Sequence, residues 1–419
     1  MGDNQNFNRD EIDNLIRGAL SRGVEDDFFN FRERFENRVK ELEIKAFQIE
    51  KNLGIEYKTL NRIIDGDIKK YDLVALIKIG SFLGINEKEI SGAFTRLLAN
   101  QHSEEIEHAK KTTFILDNFD LPTLKDIGAI NTTVDFVQIE KKLNSIFGLK
   151  SILDYNTEES GAAFSSTTGI EKAISKTKSA KNRKYFIDKS KTIFKLINNP
   201  NKYQRELLIE YFPKIRWHST DLDNGLINVI KSMYSLGVTV IFQPKIPSLK
   251  MRGATFEANK KPCIVLTDYR QSYPTLWFAL LHELFHVLFD WDEIYNKTYH
   301  LSEEDNDLFI LKHKEEEAND FAREYLFPKN KIEEISDRIT QNYFVREYAF
   351  DHHIHPSILY ANYSYVNNSE KNNLWAKFDT FIRPPMDKLT NKLTGGLSHD
   401  NTSEEICNYY NTKIYASNE

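Results

Sequence analysis

The sequence predicts a multidomain chain: an all-α N-terminal domain with helix-turn-helix anatomy, an α+β central domain and a helical C-terminal region. Three observations predict it. Residues 29–100 carry apolar residues at helical spacing and break sharply at Leu53-Gly54-Ile55. Two runs rich in β-branched residues, VTVIFQP (238–244) and CIVLTD (263–268), come just before a long apolar helix at 276–290. After residue 344 the pattern is helical again, FVREYAFDHHIHPSILYANYSY, with a break at His355-Pro356.

Composition narrows the class. A chain of 419 residues suffices for about two to four domains and a sizeable core. Its 28 Phe and 20 Tyr mark it as globular rather than disordered. The net charge of −6 argues against general coating of nucleic acid and leaves room for a local basic face. Two cysteines, Cys263 and Cys407, are too few for a disulfide framework, and a cytoplasmic location fits them best. The segment MGDNQNFNRDEID lacks a basic-then-apolar signal pattern, and no apolar run approaches the ~20 residues that span a bilayer. No membrane partner is expected.

Taken in order, residues 1–28 are polar, with a short amphipathic turn at Ile12–Leu20, and read as an arm or a capping helix. Residues 29–100 read as packed helices: Phe31, Phe35, Val39 and Leu42 form one stripe, and Leu60, Ile63 and Ile64 form another. The helix after the Gly54 break would present Glu56, Tyr57, Lys58, Thr59, Asn61 and Arg62 to a DNA major groove. Asn61 and Arg62 suit base edges, whereas Lys58 and Thr59 suit phosphates or bases. A helical bundle that binds protein instead is the competing reading.

Residues 101–195 form a helical connector: an amphipathic helix at 133–153, a small-residue linker at 156–169 and a basic stretch at 172–195. That basic stretch is either a solvated helix or, with Tyr185, Phe186 and Phe194 interleaved, a face for single-stranded nucleic acid. Residues 196–330 are the α+β domain, and 331–419 a helical region with a flexible tail at 393–405. The cluster His352, His353 and His355 reads as a turn with surface histidines, because adjacent histidines on a helix point apart.

The chemistry concentrates in LWFALLHELFHVLFD, 276–290. Here His282, Glu283 and His286 spell H-E-x-x-H, and residues four apart on a helix share a face, so two imidazoles can meet one metal ion. Glu283, one step round, can take a proton from a water there. Downstream, HKEEEANDFAREYLFP supplies Glu315 as a third ligand and Asn319, one turn on, as a group that fixes a histidine ring. Phe321, Tyr325 and Leu326 mark that helix's buried side.

H-E-x-x-H followed by E-x-x-A-N-x-F-A-x-x-x-L-x-P, carried here by Glu315, Ala318, Asn319, Phe321, Ala322, Leu326 and Pro328, resembles the ImmA/IrrE family of zinc metallopeptidases. The likeness covers roughly 200–330 and includes SLGVTVIFQPKIPSLKMRGATF and PCIVLTDYR. The family usually has Gly where this chain has Phe285. The N-terminal helices resemble the Cro/repressor-type (XRE) domain. Residues 344–384 resemble, more weakly, the region after the metal domain in fusions of the two, which include antitoxins of addiction modules.

The resemblance implies a gluzincin-like fold, Zn2+ on His282, His286 and Glu315, Glu283 as catalytic base, and residues 263–267 as an edge strand that takes up peptide by strand addition. It implies limited proteolysis of a repressor, antitoxin or other regulatory protein in a bacterial stress, phage or toxin-antitoxin response. Double-stranded DNA is held through the helix-turn-helix, single-stranded nucleic acid is a candidate activator, and a homodimer is compatible with this picture. A repressor or antitoxin whose metal domain binds a partner such as a cognate toxin without cleaving it is the alternative, and a metal-stabilised scaffold is the third. If residues 57–62 read DNA, Arg62→Ala weakens specific binding by about 1–3 kcal/mol and Lys58→Ala lowers the salt slope by about 1. A gel shift on the protein's own promoter that ignores both changes refutes the DNA reading.

Overall fold

The computed structural model describes residues 31–65, 72–155, 177–267, 269–296, 300–303, 309–369 and 372–416. The expectations for the arm at 1–28 and the linker at 156–169 lie outside these residues. The chain divides into two compact units, Met1–Lys110 and Lys111–Glu419. The divisions expected at 195 and 330 do not mark separate cores: connector, central domain and C-terminal region share one, running from Ile115 to Ile414.

The first unit is helical: α1 (Phe31–Glu41), α2 (Ala46–Leu53), α3 (Tyr57–Ile64), α4 (Leu73–Phe82) and α5 (Glu87–Gln101). Gly54 ends α2 in the left-handed region, φ 65°, and its N–H reaches the Glu50 carbonyl. Only glycine takes that conformation without strain, so the tight turn between α2 and α3 is written in the sequence. Phe35, Ile49, Leu53, Leu60, Ile63 and Ile79 close the small core. Gly80 lets α4 and α5 approach, since a Cβ there would sit 2.9 Å from Ile90. Leu42, expected on the buried stripe, lies past the end of α1 and is exposed.

The second unit is built around a four-stranded sheet in the order β1-β3-β2-β4. Its strands are β1 (Thr239–Gln243), β2 (Met251–Ala258), β3 (Lys261–Thr267) and β4 (His300–Glu303). β1 runs parallel to β3, with Val240 opposite Ile264, while β2 is antiparallel to both β3 and β4. Residues 263–267 are therefore interior, not the expected edge, and among the described residues the edges are β1 and β4. β3 is buried from Pro262 to Thr267 and the edge strand β1 is buried throughout, because both faces of the sheet are covered.

The helices of this unit begin with α6 (Ser103–Asn118), which spans the division between units, and α7 (Leu121–Asp126), α8 (Phe136–Phe147), α9 (Lys178–Ile197), α10 (Arg205–Ile215) and α11 (Gly225–Ser235). After the third strand come α12 (Tyr273–Phe289), α13 (Trp291–Tyr295), α14 (Phe309–Leu326), α15 (Lys329–Ile335), α16 (Asn342–Asp351), α17 (Pro356–Asn367), α18 (Leu374–Lys377), α19 (Asp379–Ile382), α20 (Asp387–Thr394) and α21 (Ser403–Tyr409). Successive β2 residues face opposite sides of the sheet. Thr255 meets α12 through Glu283, while the Phe256 ring meets Phe194 of α9, 6.1 Å between centroids. The sheet is thus clasped between α12 and α9.

The basic stretch at 172–195 is a correction. From Lys178 onward it is α9, and Tyr185, Phe186 and Phe194 are in the core, so their rings are closed to base stacking. The lysines disguise a core helix because most of them lie at its flanks, with one exception. Lys189 is only 2% exposed and donates to the His399 carbonyl at 2.9 Å.

The flexible tail expected at 393–405 is the second correction: the His399 carbonyl within it already accepts from the buried Lys189. Ser403 of α21 donates to the Ile146 carbonyl, and the chain runs on into a single π-turn, Tyr410–Ile414. The Phe242 N–H donates to the Tyr410 hydroxyl at 2.6 Å, and Tyr415 donates to the Val240 carbonyl at 2.6 Å. These two hydroxyls occupy backbone groups on the free side of β1, so that edge is sealed.

Burial pushes the Lys189 ammonium down from 10.5 to about 7, against the pull of Asp400. Between those values the unfolded chain keeps a proton that the folded chain has released, so stability rises with pH through this window. Urea unfolding should show a gain of about 2 kcal/mol from pH 7 to 9 that Lys189→Met abolishes. An equal gain in both proteins rejects the assignment to Lys189.

Candidate metal centre

Helix α12 is apolar nearly all round, with Leu276, Trp277, Leu280, Leu281, Leu284 and Val287 buried. A helix of that kind has to lie inside the domain, and it takes His282, Glu283 and His286 in with it, each at most 1% exposed. Packed beside it, α14 brings up Glu315, whose side chain is 13% exposed. Among the described residues, His282, His286 and Glu315 are the one group of three whose donor atoms lie within 4.8 Å of one another.

The distances test the fit of a metal. The two Nε2 atoms are 3.3 Å apart, His282 Nε2 is 3.1 Å from Glu315 Oε2, and His286 Nε2 is 3.5 Å from Glu315 Oε1. Tetrahedral coordination at ~2.0–2.1 Å separates neighbouring ligand atoms by about 3.3–3.4 Å. The three donors therefore stand at the spacing that one small divalent ion requires.

The opposite ring atoms set the tautomers. His282 Nδ1 donates to Asn319 Oδ1 at 3.1 Å, as the one-turn spacing from Glu315 led us to expect. His286 Nδ1 donates to Asp290 Oδ2 at 2.8 Å. With Nδ1 donating outward in each ring, both Nε2 atoms face inward, where a bound metal ion would replace any proton they carry. Lys314 bonds both Glu293 and Asp290 and anchors the second of these supports.

Electrostatics agree. Burial alone would depress His286, but its bonds to Asp290 and Glu315, with the charge of Glu283, raise it to about 9. Burial alone would raise Glu315, but its bonds to the two imidazoles bring it down to about 2. Buried imidazoles surrounded by carboxylates need positive charge to balance them, and a divalent cation supplies it.

Glu283 is held from the sheet. Thr255 Oγ1 donates to its Oε2 at 2.6 Å, and Gly253 leaves the space it fills, since a Cβ there would lie 2.8 Å from its Oε1. Gly253 stands at a register shift between β2 and β4. Phe285 does not intrude on the donors. Its ring packs edge-on to Phe321 at 5.4 Å and beside Phe289 at 4.8 Å, in the seam between α12 and α14. Tyr325, expected on the buried side of α14, is 44% exposed and stacks at the rim of that seam.

Asp290, Thr255, Gly253 and Lys314 were not anticipated. Asp290 follows His286 by four residues, a spacing that could have found it. Thr255 and Gly253 come from a strand 28 or more residues away and carry no local signal. The histidines at 352–355 form the expected turn, with His353 at φ 54°, but only His353 is exposed: His352 and His355 are half-buried, and the His355 ring accepts from the Ser357 N–H to cap α17.

In the first unit, Lys58, Thr59 and Arg62 are exposed on α3, and Tyr57 packs partly against the core. Asn61 is engaged internally. Its Oδ1 accepts from Arg32 at 2.9 Å and its Nδ2 donates to the Tyr57 carbonyl at 3.0 Å, so its amide is occupied rather than offered to a base edge. Arg32 also grips Asp65 and ties α1 to the end of α3.

No protein-family profile, curated protein or solved structure matches this chain.

Metal content follows directly from this arrangement. His282→Ala with His286→Ala should lose bound metal by elemental analysis, whereas Glu283→Gln and Thr255→Val keep it. Asp290→Asn leaves His286 in place but weakens its support, and should lower metal affinity by about 10–100-fold. Equal metal in wild type and the double histidine variant sinks the assignment.

Proposed function

We propose that the protein is a zinc-dependent regulatory endopeptidase joined to a DNA-binding helix-turn-helix, and that it acts by limited cleavage of a regulatory protein such as a repressor or antitoxin. The observation that carries this reading is Glu283. A metal site that only braces a fold needs no extra carboxylate. Here one is buried beside the imidazoles, oriented by Thr255 and accommodated by the missing side chain of Gly253.

The donor set of two imidazoles and one carboxylate suits zinc and leaves a coordination position open. When bound, zinc polarises a peptide carbonyl and lowers the pKa of a water towards ~7. Glu283 takes the proton from that water and passes it to the leaving amine. Thr255 holds one carboxylate oxygen, so the other is aimed without a search through rotamers. Asn319 and Asp290 keep the two rings in register throughout.

The peptide would lie along β4. That strand bonds β2 on one side and is an edge of the sheet, whereas β1, the other edge, is sealed by Tyr410 and Tyr415. Strand addition supplies main-chain bonds and leaves alternate side chains for selectivity. Selective cleavage, rather than digestion, is the expected behaviour. The exposed Lys58, Thr59 and Arg62 of α3 support the DNA-binding half of the proposal.

The test is incubation of the zinc-loaded protein with the product of its neighbouring gene, read by mass spectrometry. Specific fragments are expected, slower by about 10²–10⁴-fold with Glu283→Gln. Gly253→Ala, which displaces the Glu283 carboxylate, should slow cleavage while retaining zinc. Fragments that appear equally with Glu283→Gln remove support for an enzyme. No fragments, with promoter repression intact in Glu283→Gln, point to a regulator whose metal domain binds without cleaving.

A further inference from the structure

A cavity of about 550 Å³ lies between the first half of α12, the last turns of α14 and the helices α17–α19. It adjoins the metal centre along the seam between α12 and α14. Phe278, on the cavity wall, precedes His282 by one turn of α12, and the two rings are 6.0 Å apart. Arg323, also in the lining, follows Asn319 by one turn of α14 and lies over the same Phe278 ring at 5.6 Å. From the sheet, Arg252 joins the lining beside Gly253, the residue that faces Glu283. Its neighbours Met251 and Gly253 pair with Glu303 and Ser302 of β4. A peptide that follows β4 with its scissile bond at the metal has this cavity beside one end of its path.

The charges in the wall are already engaged. Arg383 pairs with Asp379 at 3.2 Å and Arg323 with Asp320 at 2.9 Å, and Arg323 also lies 4.0 Å from the centre of the Tyr365 ring. Arg252 and Arg270 lie over the rings of Phe278 and Tyr269, at 5.1 and 5.6 Å. What a ligand meets is therefore mainly apolar. Ile358 and Ile382 are buried in the wall, Phe278 is half-buried, and Tyr365 and Trp375 are 53% and 41% exposed. Exposed rings gathered at a cavity are surface that a ligand can remove from water. A basic side chain is disfavoured, because guanidinium groups outnumber carboxylates in the lining.

We propose that this cavity is the specificity pocket of the metal centre and takes a bulky apolar side chain of the peptide substrate, an aromatic one best. The proposal deepens the peptidase reading and rests on it. An aromatic side chain buries roughly 150–250 Å² and can do so against Phe278, Tyr365 and Trp375, whereas an alanine leaves those rings in water. The cavity has room for such a side chain together with part of the next residue. Selection then follows from apolar area, and the paired arginines frame the pocket without setting its preference.

The zinc-loaded full chain is titrated by calorimetry with three dipeptide hydroxamates, Phe-Phe, Ala-Ala and Glu-Glu. A hydroxamate ligates the metal without any need for a general base, so its binding is read apart from cleavage. Phe-Phe should bind at least about tenfold tighter than Ala-Ala. Trp375→Ala, which removes a ring, and Ala376→Trp, which puts one into the lining, should each cut that ratio to about twofold or less, with zinc content retained. If Trp375→Ala fails to fold, Ala376→Trp carries the test. Equal binding of Phe-Phe and Ala-Ala overturns the pocket and leaves the peptidase reading standing. A preference for Phe-Phe with no cleavage of any peptide supports the pocket and removes the peptidase reading instead. The proposal also falls if neither variant moves the preference, if Glu-Glu binds tightest, if chelating the metal leaves Phe-Phe binding intact, or if no hydroxamate binds.

Discussion

Two imidazole nitrogens 3.3 Å apart, with a carboxylate against both, form a cluster that a protein interior tolerates only if it is supported on every side. Much of the larger unit can be understood as that support. Asn319 and Asp290 hold the outer nitrogens, and Lys314 holds Asp290. Apolar side chains on the remaining faces of α12 keep water from the helix and make its position rigid. The rigidity matters because ligand atoms displaced by a fraction of an ångström no longer share one ion.

The sheet serves the same centre from below. β2 approaches α12 closely enough for Thr255 to reach Glu283, and the approach is possible only because residue 253 has no side chain. The opposite face of β2 rests on α9, so the strand is fixed from both sides. The C-terminal segment completes the arrangement by sealing β1 through two tyrosine hydroxyls, while β4 remains an edge. Among the described residues, one edge of the sheet is therefore capped and the other, β4, is not.

The smaller unit follows a simpler logic. A short apolar core and one left-handed glycine fix the angle between α2 and α3, and the Arg32 clamp on Asn61 and Asp65 secures the end of α3. The clamp removes Asn61 from the set of groups that could read bases. Lys58, Thr59 and Arg62 stay on the exposed face.

The sequence by itself determined whatever depends on residues close together along one element. The H-E-x-x-H face, Glu315 with Asn319 one turn later, the Gly54 turn and the buried stripe of α3 are all set by helical periodicity and backbone freedom, which are local. The tertiary structure decided what depends on which elements become neighbours. Among the described residues, only pairing order makes β3 interior and β4 an edge, because an apolar run of five residues, Pro262–Leu266, is compatible with either place. Only packing on the sheet turns the lysine-rich 178–197 into a core helix, and only docking against β1 turns the polar C-terminal segment into an ordered cap. Thr255 and Glu283 are 28 residues apart, and no spacing rule reaches across that distance. Long-range contact follows from how whole faces bury one another, a property of the assembled fold that no single window of the chain contains.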